Sequence, residues 1–277
     1  MPKIVHRKMQ FKFTEGFQKH WHGGSPFVSF FYNALSAAFP AGESFFCDTI
    51  KHYKNQIDDP ELRDDIDQFV KQELHHVYQH KLFNNMLAAQ GFDIKKAEKR
   101  NADFLSYVRK NYTPEEQLAF TMAFEHFTAA LADQILTNPK LFGEADPKVA
   151  SLWLWHAAEE TEHKSVAFDV YKAIGGSYKS RVRVYMLAFY KLFSIAFMNQ
   201  YDMLKVDGAF NKKDILLGCR YLLGKGGLMR GVFRELATYL KASFRPWDLN
   251  NAHLIDNWQE GHKSEIESFH DATKSAG

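Results

Sequence analysis

The chain has 277 residues, 45% hydrophobic and 25% charged, with a formal charge of +2 and a mean hydropathy of −0.39. That is long enough to bury a sizeable core, as one large domain or one domain with an appendage, and the composition is that of a soluble globular protein. The near-neutral balance argues against a nucleic-acid binder. The two cysteines, Cys47 and Cys219, stand far apart and suggest neither a disulfide framework nor a zinc knuckle, so a reducing, cytoplasmic setting is expected.

The basic start, M-P-K-I-V-H-R-K, has no apolar run behind it, so no secretory signal is expected. Residues 1 to 25 read as an irregular arm ending in Gly23-Gly24-Ser25. Ser25-Pro26 has the chemistry of a helix start, and the run Phe27 to Phe39 follows. Pro40 is expected to end that helix and open another, which carries Glu43 and runs to about Ile57. Asp58-Asp59-Pro60 repeats the start signal for a long helix to about Gln90, closed by Gly91. Asp93 caps a more polar helix to about Lys110. Thr113-Pro114-Glu115-Glu116 provides a capping box for the next, to about Leu136.

Asn138-Pro139 breaks the pattern, Asp146-Pro147 starts a further helix, and Gly175-Gly176 stops it. Helices are then expected near Tyr178 to Tyr201, Lys213 to Leu223, Leu228 to Ala242 and Ala252 to Phe269. The most apolar run, Val184 to Met198, is too short for a transmembrane helix and carries Lys191. No period-2 alternation appears, so the reading is all-α. The expected organisation is an arm over 1–25, a four-helix bundle over 26–176 and a C-terminal helical extension over 177–277 packed on it.

Chemistry concentrates on the stretch Trp153 to His163. In a helix, His156, Glu160 and His163 share one stripe with Trp153, Ala167 and Val170, so metal-binding groups stand where core residues belong. Glu160 and His163 form a Glu-x-x-His pair, and Glu73 and His76 form another. Two other helices each place one carboxylate, Glu43 and Glu125, on a mostly apolar face.

In chain order the set is Glu, Glu-x-x-His, Glu, Glu-x-x-His, the ligand arrangement known for ferritin-like dimetal carboxylate bundles. In antiparallel hairpins these carboxylates lie level, about 16 to 21 Å from the connecting turns at 1.5 Å per residue. Glu159, Glu162, His75 and His126 fall off the stripe and are assigned to the surface or the surroundings of the site. His156, one turn before Glu160, adds a seventh ligand. His80, one turn beyond His76, is read as an outer hydrogen-bonding partner or a pocket-lining residue.

The segments F-P-A-G-E-S-F-F-C-D at 39–48, Q-E-L-H-H-V-Y-Q-H at 72–80 and H-A-A-E-E-T-E-H-K at 156–164 carry a resemblance. The chain resembles the bacterial predicted metal-dependent hydrolases, placed within the ferritin-like superfamily. The spacing of His156, Glu160 and His163 is also similar to that of the di-iron arylamine N-oxygenases, in which the extra histidine is an iron ligand. That similarity implies the ligand set Glu43, Glu73, His76, Glu125, His156, Glu160 and His163.

The expected cofactor is therefore two metal ions, iron first, with manganese or zinc as alternatives. Three functions are compatible with such a site. The first is a di-iron oxygenase or oxidase acting on a small apolar or aromatic substrate with O2 and an electron donor. The second is a hydrolase using a metal-bridging hydroxide. The third is a non-catalytic iron-binding bundle. Ligand type favours the first.

Residues 178–245 hold thirteen Lys or Arg against four acids, interleaved with Phe, Tyr, Leu and Met. Two readings apply to them, helices padding the bundle, which is preferred, or peripheral contact with a membrane. A homodimer is also compatible with the chain.

Overall fold

The structure is a computed structural model that describes residues 2–13 and 16–263. Among these residues there are ten α-helices and no strand: α1 (Pro26–Tyr53), α2 (Pro60–Ala89), α3 (Ile94–Asn111), α4 (Pro114–Thr137), α5 (Pro147–His163), α6 (Val166–Ala173), α7 (Tyr178–Asp207), α8 (Lys212–Leu223), α9 (Leu228–Thr238) and α10 (His253–Gly261). The starts of α1, α2, α4 and α5 are those the sequence indicates. Ser25 Oγ accepts from the Val28 amide, Asp59 from Glu61 and Leu62, and Asp146 from Lys148 and Val149, while Thr113 and Glu116 form the capping box. Each cap satisfies N–H groups that the first turn leaves without an intrahelical acceptor.

Two helical hairpins, α1 with α2 and α4 with α5, pack face to face as a bundle, and α3 crosses from one to the other. Around them, α7 lies on α1 and α4, α9 on α4 and α10 on α5. The first residues form no helix but are not a loose arm. Ile4, Met9, Phe11, Phe13 and Trp21 are buried, and Arg7 Nη1 and Nη2 grip Glu162 of α5 at 3.0 and 2.8 Å.

Pro40 corrects the sequence reading, because α1 runs through it unbroken for 28 residues. Proline cannot donate the bond that the Ser36 carbonyl would otherwise receive. The Asn84 side-chain amide of α2 donates to that carbonyl instead, at 3.1 Å. A second correction is the break between α5 and α6, where one helix was expected to reach Gly175. At the break Lys164 is drawn sideways, its Nζ bonding the Leu249 carbonyl at 2.8 Å and Asn251 at 2.6 Å. The seam therefore falls directly after His163.

Further on, α7 continues past Tyr201 to Asp207 and closes on Gly208, whose φ of 68° is left-handed. α9 ends at Thr238 instead of Ala242, since Tyr178 and Arg181 of α7 capture the Leu240 and Lys241 carbonyls at 2.7 and 2.6 Å. The expected helix from Ala252 to Phe269 is helical over His253–Gly261, and its residues 264–269 lie outside the described residues.

Asn84→Ala leaves the Ser36 carbonyl without a donor and should lower stability by about 1 to 3 kcal/mol. In a Pro40→Ala background the restored N–H supplies that bond, so the same substitution should cost measurably less. A double-mutant cycle by urea denaturation reads the difference, and equal costs in both backgrounds would remove the compensation.

Candidate metal centre

The four bundle helices bring seven groups to one point: Glu43 from α1, Glu73 and His76 from α2, Glu125 from α4, and His156, Glu160 and His163 from α5. None of them is more than 3% exposed, so water cannot satisfy them. His163 Nε2 lies 3.1 Å from Glu73 Oε1, 3.5 Å from Glu125 Oε2 and 3.6 Å from Glu160 Oε1. His76 Nδ1 is 3.6 Å from Glu160 Oε1 and 3.8 Å from Glu73 Oε2. His156 Nε2 is 2.9 Å from Glu160 Oε1 and 3.8 Å from Glu43 Oε1.

Three overlapping groups can each offer an ion three atoms within 4.8 Å of one another: Glu43 with His76 and His156, Glu73 with Glu125 and His163, and Glu73 with His76 and Glu160. The first two share no residue, so two positions are available side by side. Both oxygens of Glu43, Glu73 and Glu125, one of Glu160, His76 Nδ1 and His163 Nε2 have no hydrogen-bond partner. Leaving one neutral polar group in this condition costs about 2 to 7 kcal/mol, and an ionised one more. Divalent cations would supply the partner that all of these atoms lack, and carboxylates with imidazoles are a donor set that iron, manganese and zinc accept.

The outer bonds set which nitrogen each imidazole presents. Gln72 donates its amide to Glu162 at 2.7 Å, which turns its oxygen toward His163 Nδ1 at 2.8 Å and leaves Nε2 facing the site. Glu159 Oε2 accepts from His76 Nε2 at 3.1 Å, leaving Nδ1 inward.

For His156 the chain is longer. Ser36 Oγ donates to Asn84 Oδ1 at 2.8 Å, so it accepts from His80 Nδ1 at 2.8 Å. His80 Nε2 then accepts from His156 Nδ1 at 2.7 Å, and the His156 Nε2 lone pair faces Glu43 and Glu160. A lone pair 2.9 Å from a carboxylate oxygen is repelled unless a cation lies with them.

Burial, reinforced by neighbouring Glu73, holds the Glu43 carboxyl well above the usual carboxylate range, and burial with Glu160 does the same to Glu125. Burial alone would lower His76, but its hydrogen bond to Glu159 and the neighbouring Glu73 carboxylate outweigh it and push the imidazole up to about 10. His163 is likewise raised against its burial, by Glu160. His80 and His156 are lowered, first by burial and then by the imidazoles beside them. Without metal, these surroundings thus shift Glu43, Glu125, His76 and His163 toward their protonated forms.

All seven residues singled out in the sequence converge, and His80 stands behind His156 as an outer partner. Of the two places expected for the off-stripe residues, the structure puts Glu159 and Glu162 in the surroundings of the site and not at the surface. Glu159 and Glu162 are buried and hold His76, Gln72 and Arg7, while His75 and His126 are half-buried against Met9 and Glu235 carbonyls. Ser36, Gln72, Asn84 and Arg7 were not singled out from the sequence. A small cavity of about 40 Å³ reaches Glu43 and Glu160, walled by Phe39, Phe46, Phe124 and Phe127, with half-buried Asn101, Thr128 and Leu192 at its outer edge.

A family model described as "Predicted metal-dependent hydrolase" matches residues 5–250. No curated protein and no solved structure matches the chain.

Metal binding at this site must displace protons, so affinity should rise with pH and binding should acidify a weakly buffered solution. The sign for the metal-free protein follows from His76 and His163, whose folded values are raised. The stabilisation from His76 is complete below about 6.5 and is lost as pH rises through about 10, and that from His163 is lost in the same direction. Metal-free protein should therefore melt progressively lower over that range and metal-loaded protein should not. Parallel melting curves would contradict the placement of the protons. Ser36→Ala or His80→Ala should weaken one of two metal positions by about 10- to 100-fold, read by calorimetric titration. Unchanged titrations would show that the chain behind His156 does not orient it.

Proposed function

This chain belongs to the predicted metal-dependent hydrolase family, and from that premise we propose that it is a dinuclear metalloenzyme hydrolysing a small, largely apolar ester. The observation that carries the proposal is the set of unpartnered carboxylate and imidazole atoms buried at the end of an apolar cavity. Glu43, His76 and His156 would hold one ion and Glu73, Glu125 and His163 the other, and Glu160, grouped with Glu73 and His76, would add a further carboxylate. Bound there, a divalent pair supplies Lewis acidity and makes water ionise near neutral pH.

The chain's own residues do the rest. Phe39, Phe46, Phe124 and Phe127 exclude bulk water and receive the apolar part of the substrate, and the narrow cavity admits only its slender end. Glu159, Gln72 and the pair His80 and Ser36 keep the three imidazoles turned inward. No Lys or Arg lines this cavity, which favours a neutral ester over a phosphoester.

A second reading, oxidation by O2 with iron at the same positions, is favoured by one observation. All seven groups stand on helices in an apolar interior, the setting of the oxygenases whose ligand spacing the chain resembles.

The test is reconstitution of purified full-length protein with zinc, manganese or, without air, ferrous iron. Hydrolysis of p-nitrophenyl acetate and longer acyl esters should require metal, at two ions per chain, and Glu160→Ala should lower turnover by at least about 100-fold. O2 consumption by the ferrous protein without ester turnover would replace hydrolysis by oxidation. Neither activity would leave a metal-holding bundle.

A further inference from the structure

The surface built by α7, α8 and α9 is unlike the rest of the molecule. Met186, Tyr190, Phe197 and Tyr201 of α7 are 55, 63, 68 and 46% exposed. At 100° per residue these four positions fall within about 60° of one another, so they form one outward stripe, while the opposite side of α7 packs on α1 and α4. The stripe extends sideways through Phe233 of α9, whose ring lies 5.7 Å from Phe193. At its end Tyr201 meets Phe210, at 5.4 Å, on the approach to α8. On α8, Leu216 and Leu223 are 71 and 55% exposed on the same side as Lys213 and Arg220.

Charge on this segment is also sorted by direction. Of its four acids, Asp202 is turned to Lys96 and Arg100 of α3, Asp207 to Lys19 and His20, and Asp214 to Ser25 and the Phe27 amide. Three of the four acids are thus turned against the body of the protein, and the fourth, Glu235, lies 3.9 Å from Arg234 on α9. Lys179, Lys205, Lys212, Lys213, Arg220 and Arg230 are exposed.

We propose that the α7–α9 face docks on a lipid bilayer carrying anionic headgroups. Exposed aromatic, Met and Leu side chains bordered by long cationic ones are the pattern of helices lying in a membrane interface, where the rings enter the acyl boundary and the Lys and Arg ends remain at the headgroups. The same charge argues against a second copy of the chain on this face, which would set two cationic surfaces against each other. Docking is peripheral, since no helix among the described residues is long and apolar enough to cross a membrane.

The experiment is flotation of the full-length protein with phosphatidylcholine vesicles, with and without phosphatidylglycerol. Binding should require the anionic lipid and fall about tenfold when salt is raised from about 0.1 to 0.5 M. Phe197→Ser with Leu216→Ser, and separately Lys212→Glu with Lys213→Glu, should each abolish flotation while circular dichroism and the melting midpoint stay unchanged. Absence of flotation at low salt, or equal flotation with neutral vesicles, overturns the proposal. So does a dimer in sedimentation that Phe197→Ser dissociates, which would assign the face to a second copy.

Discussion

Everything near the centre of this bundle depends on one constraint: the seven groups that meet there are acids and imidazoles sealed from water. A dry interior does not tolerate four carboxylates and three imidazoles unless each charge has a partner. Part of the answer lies outside the cluster. Glu159, Gln72 and the pair His80 and Ser36 each take the outer nitrogen of one histidine, and all three leave the same consequence, an inward-facing nitrogen. The remaining part lies inside, where Glu43, Glu125, His76 and His163 are shifted toward their protonated forms and a cation would take the place of the protons. Orientation by outer bonds and charge balance by an inner cation are complementary, and neither suffices alone.

That constraint reaches well beyond the ligating atoms. Glu159 and Glu162 are themselves buried acids, and the first segment of the chain answers them. Arg7 pairs with Glu162 by two bonds, and the Val5 and Arg7 amides donate to Glu162 at 2.9 Å and Glu159 at 3.3 Å. The apolar residues Ile4, Met9 and Phe11 seal this second layer. A segment without helical periodicity therefore completes the electrostatics of α5.

How much of this was legible in the sequence follows from the range of the interactions. The caps at Ser25, Asp59, Thr113 and Asp146 act over two or three residues, and the Glu-x-x-His pairs over three, so periodicity and composition expose them. Matching depth on two hairpins adds the one long-range inference that simple geometry allows. Pro40 was misread because its compensation comes from Asn84, forty-four residues away, and nothing local marks that asparagine as a carbonyl partner. Gln72 and Glu159 were hidden for a different reason. Each is adjacent in sequence to a ligand candidate and so points off the ligand stripe, where the sequence does not separate a solvated face from the surroundings of the site. Only the packing of α2 on α5 and of the first segment over both reveals that no solvent is there.

The division of the cluster between hairpins has a mechanical consequence. The grouping of Glu43, His76 and His156 takes its members from α1, α2 and α5, and that of Glu73, Glu125 and His163 from α2, α4 and α5. Neither hairpin holds a complete grouping, so an ion at either position ties the first hairpin to the second. Without an ion, the inner faces of the hairpins meet across carboxyls and imidazoles that their surroundings shift toward the protonated form, a pH-dependent contact. The layers that remain, the Arg7 segment over α2 and α5 and the apolar packing of α7 over α1 and α4, span the same seam from outside. They fix the distance between the hairpins before any cation arrives, so the cluster is presented to the metal as a preformed cage, with the seam after His163 as its nearest break in helical structure.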